Sequence, residues 1–407
     1  MRLRTLAVLV AVSFALLLAL NAYLKPNGGV APTDVLVRVY FADHISPAHR
    51  AVIEGFNRRF AGRIEVVPVD LPFDKFSTNE RKELLARSLR SKSEKLDVFA
   101  VDLIWVSRFA RWSEPLGPYF PPEERRDLLE PALRSCVVGD TLLAMPMYID
   151  IGLMYYRRDL IRALPDGEAV ERRLQESITW DELAKLRRRL GYNGRPSFVF
   201  PAKAYEGLVC YFLELAVSHD SQFLTKNDLP MKSTAAMQAL RTLVNFVGNG
   251  TSPADVAGFD ENLSYRWFLD HDAVFVRGWP NFIENFRRFY PDTAKLEAVG
   301  RAPLPHVAGQ EPTSVFGGWN LMVSRSSAKK SEAMEFIRYL QSPEAQRMLF
   351  EGGGYIPIRS DLYRDSSLLA SHPELSFYHA LLQRGFHRPM LVDYTRASDI
   401  ASHFLHR

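Results

Sequence analysis

Between residues 35 and 101, three apolar runs alternate with two helix-patterned runs. Residues 35–41 (VLVRVYF) are rich in β-branched and aromatic side chains and read as a strand. Ser46-Pro47 then supplies an N-cap and a first helical residue, with Val52, Ile53, Phe56 and Phe60 at helical spacing and Gly62 as the stop. Residues 64–69 form a second strand, with Pro68 at its end, and residues 78–90 a charged helix with Leu84, Leu85 and Leu89 on one side. Residues 97–101 (DVFAV) close the series as a third strand. This order predicts a parallel sheet covered by helices. Ligands of such sheets bind beyond the carboxyl ends of the strands. Ala42-Asp43-His44 and the segment from Asp102 to Trp105 are therefore expected near one cleft.

A chain of 407 residues is too long for one small core and suits two lobes. With 47% apolar and 24% charged residues it should fold as a globular protein. Arg2 and Arg4, then an apolar run over residues 6–20 broken only by Ser13, have the layout of a secretory leader. An uncleaved anchor is the alternative, since Leu20 stands where cleavage prefers a small residue. No Cys follows the run, so a lipoprotein is excluded, and no second apolar segment of membrane length occurs. Without Arg2 and Arg4 the chain carries 49 basic and 47 acidic residues, which gives no nucleic-acid footprint. Arg187-Arg188-Arg189 reads as a solvated helix face. Cys136 and Cys210 permit a disulfide in an oxidising compartment, while a buried free thiol is the plainer reading for Cys210.

Further along, residues 148–158 read as a crossover, with residues 151–156 strand-like. Thr179-Trp180-Asp181-Glu182 is a capping box opening a basic helix that stops near Gly191. Residues 197–200, 273–276 and 321–323 read as strands, and residues 205–217 as a buried helix. Gly317-Gly318-Trp319 reads as a turn before the last strand. Ser331 opens a helix reaching Leu340, and Ser342-Pro343 opens another ending at Gly352-Gly353-Gly354.

Five stretches, taken in order, are specific: DVFAVDLIW at 97–105, AMPMYIDIGLMYY at 144–156, AYEGLVCYFLE at 204–214, VFVRGWP at 274–280, and the long run at 316–363 from FGGWNLMVS to IPIRSDLY. They resemble the extracellular solute-binding proteins of carbohydrate ABC transporters, the group that includes maltose- and trehalose-binding proteins. The resemblance spans about residues 35–365. It implies an α/β fold of two lobes, each a mainly parallel sheet flanked by helices, joined by crossover strands and closing over a sugar. It places residues 34–146 with part of 281–340 in the first lobe, and 147–280 with 341–407 in the second. Residues 1–33 are leader or anchor and linker. The implied partners are a carbohydrate and the permease subunits of the transporter, for a chain that is exported and monomeric when free. Neither a cofactor nor catalysis is implied.

By the same resemblance, Asp102 is a sugar-binding acid, and Tyr148 and Asp150 are the aromatic and the acid of the crossover. Tyr205, Glu206 and Gly207 match a site segment at a helix start. Trp279, and Gly318 with Trp319, match aromatic platforms, and Arg359 matches an arginine after the glycine-rich loop. The family's Gly and Glu after the first strand are replaced here by Ala42, Asp43 and His44. These residue types suit a sugar. An indole covers the C–H face of a pyranose. Carboxylates accept hydroxyl hydrogen bonds with the strength of charged acceptors, and arginine adds a planar donor fork. Two residues have a structural reading as well: Asp102 could cap a helix, and Glu206 could serve a helix dipole. The rival functions are a glycoside hydrolase using a pair of these acids, a binder of polyamines or glycerophosphodiesters, and a membrane-anchored sensor. No GxSxG, HExxH, Walker or CxxC signature occurs.

Overall fold

The computed structural model of the protein describes residues 36–72, 78–192, 194–226, 228–391 and 393–407. The expected leader and linker lie outside them. Strand β1 (Val37–Asp43) is followed by helix α1 (Pro47–Arg59), where Ser46 Oγ accepts from the His49 N–H and Pro47 stands in the first turn. Val52, Ile53 and Phe56 form the buried stripe of α1. Strand β2 (Ile64–Asp70) runs parallel to β1 at the sheet edge, where Pro68 removes no ladder bond from an inner neighbour. Helix α2 (Thr78–Arg90) leads to β3 (Val98–Asp102), which is also parallel to β1.

Strand β4 (Met145–Ile151) belongs to this first sheet, and β5 (Leu153–Arg157) belongs to a second. Gly152 alone separates them. Helix α3 (Trp180–Arg189) carries the expected capping box: Thr179 Oγ1 accepts from the Glu182 N–H, and Glu182 accepts from the Thr179 N–H. Strand β6 (Phe198–Val199), helix α4 (Glu206–His219), helix α5 (Glu261–Asp270), strand β7 (Phe275–Gly278) and strand β8 (Val299–Ala302) complete the second lobe. The second sheet has the order β8-β5-β7-β6. Strand β9 (Ser314–Val323) returns to the first sheet, between β3 and β4 and antiparallel to both. The order there is β10-β9-β3-β1-β2, with β10 at Gly385–Phe386.

The two-lobed α/β architecture is therefore present, with mixed rather than mainly parallel sheets: β8, β5 and β7 pair antiparallel. Two readings differ from the sequence expectation. Gly317-Gly318-Trp319 lies inside β9 and not in a turn. Gly318 is required there because its φ is +127° and a Cβ would approach the Tyr148 carbonyl oxygen to 2.5 Å. Helix α6 (Lys330–Leu340) and helix α7 (Pro343–Gly353) pack on α1 of the first lobe, although residues 341–407 were expected in the second. The tail ends in helix α8 (Tyr394–His406), which packs on α4 of the second lobe and on the single turn Leu103–Trp105 of the first. Cys136 and Cys210 are buried free thiols, and burial pushes both above the ordinary thiol value.

Candidate functional site

Register in the first sheet builds one wall of a cleft. Trp319 on β9 stands opposite Asp102 on β3 and opposite Tyr148 on β4, and Gly317 stands opposite Asp150. Residues paired across antiparallel strands share a face, and alternate residues of one strand do too. Tyr148, Asp150 and Trp319 thus present one surface. Tyr148 is held by the Tyr355 ring, 4.6 Å away. Trp319 is only 7% exposed. The Trp105 ring meets it edge-on at 6.1 Å, and the Arg81 guanidinium lies 4.2 Å over its face. Arg81 comes from α2 and donates to Asp43 at 2.6 Å.

The second lobe contributes Trp279, directly after β7. Its backbone N–H donates to the Tyr265 hydroxyl at 2.8 Å, and its ring Nε1 donates to Glu261 at 3.3 Å. The Arg277 guanidinium stacks on the ring at 4.0 Å. The ring reaches the first sheet at Gly317, where a Cβ would come within 2.8 Å of the indole and 3.2 Å of the Asp150 Cβ. The side-chain-free Gly317 lets the two lobes meet at this point.

Asp150 is 7% exposed, and its Oδ1 has no hydrogen-bond partner among the described residues. Burial, and then the Asp102 charge, push its carboxyl up to about 7, while Arg277 works the other way. The folded value stands above the unfolded one. This group therefore adds stability at low pH that is lost as pH rises through about 7. A solute hydroxyl donating to Asp150 would reverse part of that loss, because it favours the charged form.

Asp102 performs the capping role and another. Its Oδ1 accepts from the Ile104 N–H at 3.0 Å and from Arg388 Nη2 at 2.7 Å. The other arm of Arg388, Nη1, donates to Glu206 Oε1 at 2.8 Å. Glu206 opens α4 and also accepts from the hydroxyls of Tyr394 and Ser398 on α8. One buried arginine of the tail thus joins an acid of each lobe. Burial works against its charge, and the two carboxylates overcome it, holding the guanidinium well above its ordinary value. Tyr205 donates to Glu261, and its ring fills the space over Gly207, where a Cβ would be 2.3 Å from the hydroxyl.

The structure thus brings together Asp102, Tyr148, Asp150, Glu206, Trp279, Gly318 and Trp319, with Tyr205 and Gly207 behind them. Arg359 does not join them. It forks Asp361 at 2.6 Å, reaches Asp127 at 3.6 Å and donates to the Gln341 carbonyl. The arginine that bonds Asp102 and Glu206 is Arg388. Its partners are 286 and 182 residues away in sequence, so no local pattern announces it. Glu214 and Arg277 also lie behind the cleft, and the sequence does carry a signal for them. Each is a charge inside an apolar run, which requires a buried partner, and each is the partner of the other. No group of three or more His, Cys, Asp or Glu among the described residues could hold a metal ion. No helix among them is long and apolar enough to cross a membrane.

Comparison with known proteins agrees with this fold. The family model described as "Bacterial extracellular solute-binding protein" matches residues 42–347, about three quarters of the chain. A "Probable ABC transporter-binding protein" of Deinococcus radiodurans is 26% identical over 336 residues, covering 80% of this chain and 77% of the relative. Maltose-bound MalE3 of T. maritima superposes with a TM-score of 0.80 at 27% identity, over 91% of this chain and 94% of that one. UgpB of Mycobacterium tuberculosis, solved with glycerophosphocholine, has the same fold, with a TM-score of 0.75 at 20% identity over 91% and 92% of the two chains.

Proposed function

The chain belongs to the bacterial extracellular solute-binding proteins, and from that premise we propose that it captures a neutral sugar, a di- or oligosaccharide, by closing two lobes over it, and passes it to the permease of an ABC transporter. The family binds and does not catalyse. The MalE3 complex and the transporter-binding relative support the finer reading. So does hinge closure, the motion of periplasmic binding proteins in general. Export by the leader at residues 1–33 completes the proposal.

One observation carries the choice of a neutral polyol. Beside the Trp279 ring stand a buried donor and a buried acceptor, Arg277 Nη1 and Asp150 Oδ1, neither with a partner among the described residues. A hydroxyl accepts from the first and donates to the second. An ammonium group can only donate, and an ionised phosphodiester oxygen can only accept. Charge points the same way. Arg81, Arg277 and Arg388 are each paired with a carboxylate, so a phosphodiester finds no unbalanced positive charge among these three.

The test is a thermal-shift panel of maltose, trehalose and mannitol, with glycerophosphocholine and putrescine as charged controls. A solute at 100 times its Kd should stabilise the native state by about 2.7 kcal/mol. In a chain of this size that is a rise of about a few degrees in Tm. At least one neutral compound should give it and be recovered unchanged by chromatography. Turnover that disappears in Asp102→Asn or Asp150→Asn would make the protein a hydrolase instead.

A further inference from the structure

Behind the cleft, a buried ion pair fills the place where the chain passes between the lobes. Glu214 on α4 accepts from Arg277 on β7 twice, from Nε at 3.0 Å and from Nη2 at 2.8 Å. Both side chains are fully buried or nearly so. Glu214 Oε1 also accepts from the Val315 N–H on β9 at 3.4 Å. The Val315 carbonyl in turn accepts from the Gly152 N–H, at the single residue joining β4 to β5, at 3.1 Å. Gly152 leaves the room the pair occupies. A Cβ there would lie 1.8 Å from Glu214 Oε1 and 2.9 Å from Arg277 Nη2, closer than any real contact. Both strands that cross between the lobes therefore rest against one carboxylate. From that carboxylate the Arg277 fork leads directly to the underside of the Trp279 ring.

We propose that Glu214 and Arg277 are positioning residues, which tie the crossover at Gly152 and Val315 to the Trp279 ring and to the Asp150 carboxylate, so that platform and acid move as one with the hinge. The proposal rests on the sugar-binding reading above but is tested separately from it. Buried ion pairs are costly to keep and seldom persist for stability alone, since an apolar pair of similar volume often serves as well. A fork that also seats an aromatic platform gives this one a use. Arg277 is moreover the cation whose field reaches Asp150. The other ionisable groups acting on or with that carboxyl are Asp102, Tyr148, Tyr265 and Tyr355, none of them cationic.

The experiment follows the Asp150 carboxyl directly, by infrared difference between each protein and its Asp150→Asn counterpart across pH 4–10. The backgrounds are wild type, Arg277→Lys and the uncharged pair Glu214→Gln/Arg277→Met. Wild type should titrate near 7. The uncharged pair should titrate more than one pH unit higher, because the opposing cation is gone. Arg277→Lys keeps the charge and should stay within half a unit of wild type. The same three proteins are then titrated with maltose, trehalose and mannitol. Arg277→Lys, which loses both the planar fork under Trp279 and the Nη1 donor offered to the solute, should bind at least tenfold more weakly than wild type. An Asp150 midpoint unchanged in the uncharged pair would overturn the proposal, and so would full affinity in Arg277→Lys. If the uncharged pair does not fold, the Arg277→Lys affinity decides. If no sugar binds wild type, the sugar reading fails, while the Asp150 midpoint still judges the pair.

Discussion

Arg388→Met should destabilise the chain by about 3–5 kcal/mol, the usual consequence of removing one partner from a buried charge cluster. The guanidinium is 2% exposed and donates to Asp102 and Glu206 with separate arms. Its loss leaves two buried carboxylates that keep the hydroxyls of Tyr394 and Ser398 and the Ile104 N–H as hydrogen-bond donors but lose the cation that joined them. Repulsion should then open the contact between the lobes and free α8 from α4. Urea denaturation, read as the shift in midpoint at constant slope, measures the cost. The triple variant Asp102→Asn/Glu206→Gln/Arg388→Met removes the uncompensated charges and should recover most of the loss. A cost under about 1 kcal/mol for the single variant would mean that water already reaches the cluster and screens it, as at surface pairs. A triple variant no better than the single one would mean that the arginine acts through packing.

The two platform tryptophans should separate in their effects. Trp319 is 7% exposed, meets Trp105 edge-on and carries Arg81 on its face, so its truncation opens a cavity in the first lobe. Trp319→Ala should lower the stability of the ligand-free chain by about 3–5 kcal/mol. Trp279 is partly exposed and stands on the second lobe over Gly317. Trp279→Ala should fold with a smaller loss but bind the sugar at least tenfold more weakly, because stacking of a ring on a buried partner contributes on the order of 1–3 kcal/mol. Melting of the two ligand-free variants and titration of both with the same sugar measure the difference. Equal affinity in Trp279→Ala and wild type would remove Trp279 from the site and leave it a wedge between the lobes.

What could be read from the sequence was chemistry confined to a few neighbouring residues. Ser46-Pro47, Thr179 with Glu182, and Ser342-Pro343 open helices where expected, and Gly354 ends one with φ of +69°. Asp102, Asp150, Trp279 and Trp319 are named by family patterns, and the structure puts the first two and Trp319 on strands of the first sheet and Trp279 after a strand of the second. Gly317-Gly318-Trp319 was read as a turn because two glycines in a row usually mark one. Here they serve close packing instead, against Trp279 at Gly317 and against the Tyr148 carbonyl at Gly318. Arg359 is named by the sequence because it follows a recognisable glycine-rich loop. A carboxylate two residues on, Asp361, engages it locally. Arg388 acquires its place only when β10 and α8 bring the tail back across both lobes, and neither of its partners is near in sequence.

Calorimetric titration at pH 8, above the value of about 7 to which burial pushes Asp150, tests the central claim most directly. The cell holds wild type, Asp150→Asn or Trp279→Ala, and the syringe holds in turn maltose, trehalose, mannitol, glycerophosphocholine and putrescine. A neutral polyol should bind wild type with one-to-one stoichiometry and lose at least tenfold in affinity in each variant, while the two charged compounds give no heat of binding. Binding of glycerophosphocholine or putrescine in place of every sugar would contradict the account, as would a sugar whose affinity neither variant changes.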